Sequence, residues 1–133
     1  METNKADIEI YELVHLAQSL MRFPNINPPG NDQAIANFLV EYLENLGLQV
    51  RCEDLGNGHR NVIATWQGQE PGPVLLLNGH YDVVEPGQGW SVDPFGSVVR
   101  DGWLIGRGAV DMKAGIAALI MAVRNLNNSP FRV

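Results

Sequence analysis

Apolar residues recur with helical spacing in three stretches of the sequence. Residues 8–21, 31–46 and 112–127 each place large apolar side chains three and four positions apart, which gives a helix one continuous apolar face. Asn31 or Asp32 is suited to cap the second stretch, because a short polar side chain accepts hydrogen bonds from the free amides of a first helical turn. The pattern therefore predicts three helices that each bury one side.

Shorter apolar runs between turn residues predict β-strands. Residues 48–52 and 61–66 are strand candidates on either side of a glycine-containing turn. Residues 98–100 and 103–105 flank an Asp-Gly dipeptide, which is typical of a two-residue hairpin turn. The sequence also contains 14 Gly and 8 Pro, so helices and short strands joined by many turns indicate an α/β protein.

Residues 74–77 are consecutive large aliphatic residues, followed closely by His80 and Asp82. An uninterrupted aliphatic run predicts a strand that is buried on both faces. Because side chains alternate along an extended chain, His80 and Asp82 should point to the same side where this strand leaves the core. Functional side chains are commonly carried at such strand ends, which makes this the first candidate site.

His80 and Asp82 have the spacing of a metal ligand and its orienting carboxylate. A metal-bound imidazole is stabilised when a carboxylate accepts the proton of its second ring nitrogen. A surface pair that contributes little to stability has the same sequence, so the pair alone leaves both interpretations open. Asp111 favours the metal interpretation, since it follows a Gly-x-Gly turn and precedes a helix, where its carboxylate can face the same crevice.

Charge and cysteine content exclude several other classes of protein. A formal net charge of −6, with 9 Lys and Arg, argues against binding to nucleic acid. The single cysteine, Cys52, excludes an intrachain disulfide and a cysteine-cluster zinc site, and we expect it to be buried. The first residues carry no signal-peptide pattern and no apolar run approaches the ~20 residues of a membrane span, so we expect a cytoplasmic protein without a membrane partner.

The other candidate residues receive structural interpretations. His15 lies beside the apolar stripe of the first helix, where a packed or partly exposed structural side chain is expected. His59 has no partner at ligand spacing, so we expect a solvated loop residue. Gly106 and Gly108 begin like a dinucleotide-binding turn, but the third glycine position holds Asp111, whose carboxylate would repel a pyrophosphate. We therefore predict no nucleotide cofactor.

A series of short motifs in the second half of the chain resembles one enzyme family. The sequence carries, in order, Gly79-His80-Tyr81-Asp82-Val83-Val84, Trp90, Asp93-Pro94-Phe95, Asp101-Gly102 and Gly106-Arg107-Gly108-Ala109-Val110-Asp111-Met112-Lys113-Ala114-Gly115. In this order they are very similar to the motifs of the acetylornithine deacetylase, succinyl-diaminopimelate desuccinylase and carboxypeptidase G family of dinuclear zinc hydrolases.

The resemblance implies a fold and a set of site residues. The fold would be a partial three-layer, zinc-peptidase-like catalytic domain with a mixed β-sheet flanked by helices. His80 would bind one metal ion, Asp111 would bridge two, and Asp82, the candidate catalytic residue, would orient His80. The cofactors would be two zinc ions, with cobalt or manganese as alternatives. A cis peptide bond between Asp111 and Met112 is also implied.

The resemblance further implies a reaction and a larger parent enzyme. The substrate would be an N-acyl amino acid or a small peptide, hydrolysed at an amide bond, and the parent could form a homodimer. We expect residues 1–133 to be the N-terminal part of the catalytic domain, without the general-base Glu, the remaining ligands and the lid or dimerisation domain. Such a truncated sheet should expose apolar surface and associate. The alternative is a non-catalytic α/β binding or interaction module in which His80, Asp82 and Asp111 are structural polar groups.

Overall fold

The computed structural model describes residues 4–68 and 70–127, and within these residues the chain forms three helices and four strands. The predicted helices, the two strand candidates at residues 48–52 and 61–66, and the predicted hairpin at Asp101-Gly102 are confirmed, with ends that differ from the prediction by a few residues. The helices are α1 (Lys5–Met21), α2 (Gln33–Asn45) and α3 (Lys113–Asn127), and the strands are β1 (Gln49–Gly56), β2 (His59–Thr65), β3 (Val98–Arg100) and β4 (Trp103–Ile105).

The helix starts show which polar residues act as caps. Helix α1 begins before its apolar pattern does, because the Asn4 side chain accepts a hydrogen bond of 3.3 Å from the Ala6 amide. Asp32 precedes α2, as predicted, but its side chain makes no capping hydrogen bond. The Asp32 carboxylate is buried instead and accepts a hydrogen bond of 3.2 Å from the Arg60 amide. The predicted position is confirmed and the predicted capping role is wrong.

The apolar faces of the three helices converge in one core. Helix α1 packs against α3, and Leu20 of α1, Ile35 of α2 and Ala117 of α3 are completely buried. Removing such side chains from water contributes about 1.5–3 kcal/mol for each large aliphatic residue, so this cluster accounts for the helix arrangement. The core cluster consists of Leu16, Ala17, Leu20, Ile35, Leu39, Ala117, Ile120 and Met121.

Helix α2 packs on the antiparallel hairpin of β1 and β2, in which Gln49 lies opposite Thr65 and Cys52 lies opposite Val62. Cys52 is exposed, so the prediction of a buried cysteine is wrong. The physical reason is that α2 covers only part of a two-stranded sheet, and β1 remains an edge with one side open to water. The glycine-containing turn between the strands is as predicted.

The structure contradicts the predicted strand at residues 74–77. These residues have no regular secondary structure, and the exposed fractions are 95% for Val74, 75% for Leu75, 82% for Leu76 and 40% for Leu77. A strand that is buried on both faces requires neighbouring strands for its amides and packed layers above and below. The described part of the chain places neither against this run, so the aliphatic side chains remain in water.

The strands form two separate two-stranded antiparallel sheets, one from β1 and β2 and one from β3 and β4. Outside these sheets, a parallel bridge joins Ile26 to Val83. This mixture of helices and small sheets confirms the predicted α/β class. Among the described residues, no helix has the length and apolar character needed to span a membrane.

Candidate functional site

The segment that carries His80 and Asp82 is held between two other parts of the chain. On one side, Val83 is buried and its carbonyl accepts a hydrogen bond of 2.9 Å from the Asn27 amide. On the other side, Gly79 lies against the residue before α3, where an added Cβ would come within 3.1 Å of the Met112 Cε atom. The segment is therefore fixed in place although the aliphatic run before it is exposed.

The ring of His80 lies between two carboxylates. Its Nδ1 atom is 3.1 Å from Oδ1 of Asp82, and its Nε2 atom is 2.8 Å from Oδ1 of Asp111. The Nδ1 atom also lies 3.2 Å from the Asp82 carbonyl oxygen. The structure thus brings together the three residues that the sequence indicated, although His80 and Asp111 are 31 positions apart.

The electrostatics of the site follow from these contacts. Partial burial acts to lower the pKa of His80, but the Asp82 carbonyl and the two carboxylates outweigh it, so this pKa lies above its ordinary value. The hydrogen bond from Asn27 is the main cause that holds the pKa of Asp82 below its ordinary value, against the opposing effect of burial, and His80 contributes in the same direction. The exposed fractions are 50% for His80, 34% for Asp82 and 81% for Asp111, so water reaches the pairs and screens them.

A tight turn before α3 presents Asp111 to His80. Gly108 in this turn has a φ of 87°, a conformation that glycine adopts at little cost, and a Cβ there would lie 3.0 Å from the Lys113 Cδ atom. The Gly108 carbonyl accepts a hydrogen bond of 2.8 Å from the Lys113 amide, which closes the turn. The peptide bond between Asp111 and Met112 is cis, as the resemblance implies.

Two residues near the site were missed by the sequence analysis. Asn27, in the loop before α2, donates a hydrogen bond of 2.8 Å from Nδ2 to Oδ2 of Asp82. Lys113 is completely buried, and its Nζ atom donates to the Phe23 carbonyl at 2.6 Å and to Oδ1 of Asn25 at 2.8 Å. These contacts join residues 55 to 90 positions apart, and no local spacing in the sequence indicates them.

The other two histidines lie outside this cluster. The Nδ1 atom of His59 is 3.3 Å from Oδ2 of the buried Asp32, and 34% of the His59 side chain is exposed. The prediction of a solvated loop residue without a partner is therefore wrong, because chain folding places a buried carboxylate against the start of β2. His15 is exposed on α1, with its ring 6.1 Å from that of Tyr11.

The donor atoms of His80 and Asp111 fit part of a metal site. Zinc ligands of these types lie about 2.1 Å from the ion, which places two of them roughly 3.4 Å apart in tetrahedral geometry. The observed 2.8 Å between His80 Nε2 and Asp111 Oδ1 is the distance of a direct ion pair, so the two atoms would move apart by about 0.6 Å to share an ion. Within residues 4–68 and 70–127, no group of three or more His, Cys, Asp or Glu side chains is placed to hold a metal ion. A complete site would therefore need further ligands.

Comparisons with known proteins show which proteins this chain resembles. Residues 76–133 match peptidase family M20/M25/M40. Succinyl-diaminopimelate desuccinylase from Anaplasma marginale (strain Florida) is 42% identical over 120 residues, which cover 88% of this chain and 30% of that protein. N-formyl-4-amino-5-aminomethyl-2-methylpyrimidine deformylase from Bacillus subtilis (strain 168) is 36% identical over 118 residues, covering 85% of this chain and 28% of that protein.

A solved structure has a similar fold. The M20 family metallo-carboxypeptidase Sso-CP2 from Sulfolobus solfataricus matches 95% of this chain and 28% of its own, with a TM-score of 0.72 and 27% identity. The resemblance is confirmed: the chain is similar to proteins of peptidase family M20/M25/M40. The chain spans about 30% of the length of the curated relatives described above.

Proposed function

We propose that this chain supplies the His80, Asp82 and Asp111 portion of a metal-dependent amidohydrolase site. The observation that carries the proposal is the His80 ring held between two carboxylates, with one ring nitrogen facing each. In this proposal His80 and Asp111 are metal ligands and Asp82 orients His80. Two zinc ions are the proposed complement, with cobalt or manganese as alternatives, because imidazole and carboxylate ligands suit these ions.

The residues of the chain would prepare the site in two ways. In this proposal Asp82 accepts the Nδ1 proton of His80, which would select the tautomer whose Nε2 atom can act as a metal ligand. Asp111 lies on the turn before α3 with 81% of its side chain exposed, so its carboxylate is open to more than one ion. When bound, the metal would supply polarisation of the amide carbonyl and a lowered pKa for an attacking water molecule.

The names of the similar proteins support amide hydrolysis as the reaction class. A desuccinylase, a deformylase and a carboxypeptidase all cleave a bond between an acyl carbon and a nitrogen atom. We therefore propose that the complete protein hydrolyses an N-acyl amino acid or a small peptide, as a cytoplasmic enzyme that can form a homodimer. The net charge of −6 supports a small-molecule substrate rather than nucleic acid.

A chimera tests the proposed activity by placing this chain within a complete relative. In the chimera, residues 1–133 replace the matching segment of the Anaplasma marginale desuccinylase, and hydrolysis of succinyl-diaminopimelate is measured with added zinc. We expect activity in the chimera and a loss of at least about 1,000-fold in the His80→Ala variant, because a metal ligand is removed. His15→Ala is the matched control, since His15 is exposed on α1 and far from the site in sequence. A folded, active chimera that tolerates His80→Ala would refute the assigned role.

The chain by itself should bind zinc weakly and should not hydrolyse N-acyl amino acids. The described residues offer one imidazole and one carboxylate that face each other, whereas zinc sites in proteins use at least three protein ligands. Calorimetric titration with zinc, beside an assay on an N-acetyl amino acid, measures both properties. Two tightly bound zinc ions and His80-dependent turnover in the 133-residue chain would contradict this expectation. A chimera that folds and remains inactive would favour the non-catalytic module.

A further inference from the structure

Asn27 lies in a proline-rich loop, yet its side chain reaches the carboxylate that faces His80. We propose that Asn27 is a positioning residue, whose amide holds Asp82 in the orientation that accepts the Nδ1 proton of His80. Its meaning for catalysis rests on the proposed function, but the contact itself can be tested in the metal-free chain. Neither residue spacing nor residue type in the sequence indicates this pair.

The two oxygen atoms of Asp82 have different partners. Oδ2 accepts the 2.8 Å hydrogen bond from Nδ2 of Asn27, and Oδ1 faces Nδ1 of His80 at 3.1 Å. The terminal torsion of an aspartate is broad, so a carboxylate with one partner can rotate. Because both oxygens of Asp82 have partners, the carboxylate cannot rotate and keep its contacts with both Asn27 and His80. Asn27 therefore limits the orientations from which Asp82 can meet His80.

The backbone fixes Asn27 beside this carboxylate. The Asn27 amide donates to the Val83 carbonyl at 2.9 Å, and the Val83 amide donates to the Asn25 carbonyl at 3.2 Å. These two hydrogen bonds form the parallel bridge between Ile26 and Val83, and Val83 directly follows Asp82 in the sequence. Since the main chain is already ordered by these bonds, only the side-chain freedom of Asn27 is lost when it makes its hydrogen bond to Asp82.

The same loop also contacts the segment that carries Asp111. Nζ of the buried Lys113 donates to Oδ1 of Asn25 at 2.8 Å and to the Phe23 carbonyl at 2.6 Å, and Lys113 follows Asp111 closely. Residues 23–27 thus contact both carboxylate-bearing segments, which the β3–β4 hairpin separates in the sequence. This common attachment argues that the loop sets the position of Asp82 relative to Asp111, rather than only covering the core.

The first test removes the hydrogen-bond donor of Asn27 and keeps the size and shape of its side chain. Asn27→Leu is nearly isosteric, and Asn37→Leu on the exposed face of α2 is the matched control. In the metal-free chain, the exchange rate of the His80 Nδ1 proton is measured by nuclear magnetic resonance, and zinc alone is then titrated. We expect Asn27→Leu to exchange this proton at least about 10-fold faster and to bind zinc about 10-fold more weakly than the control, the usual loss when the orienting contacts of a metal ligand are removed. Values within about two-fold of Asn37→Leu would overturn the proposal.

The second test exchanges donor and acceptor. Asn27→Asp alone places two carboxylates together, whereas the double variant Asn27→Asp with Asp82→Asn restores a donor and an acceptor and leaves an amide oxygen for His80. We expect the double variant to recover protection of the Nδ1 proton relative to Asn27→Asp. No recovery in a folded double variant would overturn the proposal. If neither Asn27→Leu nor the double variant folds, Asn27 has a purely structural role and the proposal is wrong.

These outcomes are distinguishable from failure of the proposed hydrolase activity. The proton measurement needs neither metal nor substrate, so it reports only on the contact between Asp82 and His80. An inactive chimera together with a clear Asn27 effect on the Nδ1 proton would refute the hydrolase and leave the positioning role. An active, His80-dependent chimera without any Asn27 effect on the Nδ1 proton would support the hydrolase and refute the positioning role of Asn27.

Discussion

Replacing Lys113 with Met tests how a completely buried amine is tolerated beside the candidate site. Nζ of Lys113 donates hydrogen bonds to two uncharged oxygens, the Phe23 carbonyl and Oδ1 of Asn25. Burial lowers the pKa of Lys113 from 10.5 to about 8, although Asp82 and Asp32 act in the opposite direction. The folded state therefore releases the Lys113 proton at a lower pH than the unfolded chain does.

The sign and size of the effect follow from proton binding. Between the folded pKa of about 8 and the ordinary value of 10.5, the unfolded chain holds a proton that the folded chain has released, so the free energy of unfolding rises with pH. At about 1.4 kcal/mol per pKa unit, the rise between about pH 7 and pH 10 is about 2.5 kcal/mol. Burial raises the pKa of Tyr81 above its ordinary value of 10.0, so Tyr81 reduces stability only above that pH.

The assay is urea unfolding of the wild-type chain and of Lys113→Met at several pH values from 7 to 10, followed by tryptophan fluorescence. Methionine does not titrate, and the two proteins share all other ionisable groups. The pH dependence of the difference in their free energies of unfolding therefore reports on Lys113 alone. We expect the free energy of unfolding of the wild type to rise by about 2.5 kcal/mol relative to the variant over this range. A difference that stays constant within about 0.5 kcal/mol would refute the reasoning, because the hydrogen bonds would then fully offset the burial of the charge.

Three further predictions concern packing and association. Leu20→Ala should lower the free energy of unfolding by about 2–5 kcal/mol, whereas Leu75→Ala, at a site 75% exposed, should change it by less than about 0.5 kcal/mol in the same urea titration. Gly30 and Gly47 have φ of 81° and 82°, but a Cβ added at Gly30 would clash with the His59 ring, whereas a Cβ at Gly47 would meet no atom within 4 Å. Gly30→Ala should therefore cost about 1–3 kcal/mol more than Gly47→Ala, and equal losses would contradict the contact. Sedimentation velocity should show association of the wild-type chain that Leu75→Lys reduces, and a stable wild-type monomer would oppose this.

The sequence was sufficient for elements that depend on neighbouring residues. The helical spacing of apolar positions predicted α1, α2 and α3, because each residue in a helix contacts residues three and four positions away. The Asp-Gly dipeptide predicted the hairpin of β3 and β4, and both turn residues have positive φ, 52° at Asp101 and 81° at Gly102. The motifs also indicated the three residues that the structure brings together, through a family resemblance rather than through spacing alone.

Tertiary structure decided what lies beside those elements. The aliphatic run at residues 74–77 predicted a buried strand, but burial depends on neighbouring strands and helices, and the described residues place none there. The hydrogen bond from Asn27 to Asp82 and the placement of Lys113 against Asn25 join positions 55 and 88 residues apart. A local pattern specifies the conformation of a segment and the side that is apolar. Only the packing of distant segments determines which polar groups share a site and which apolar faces are covered.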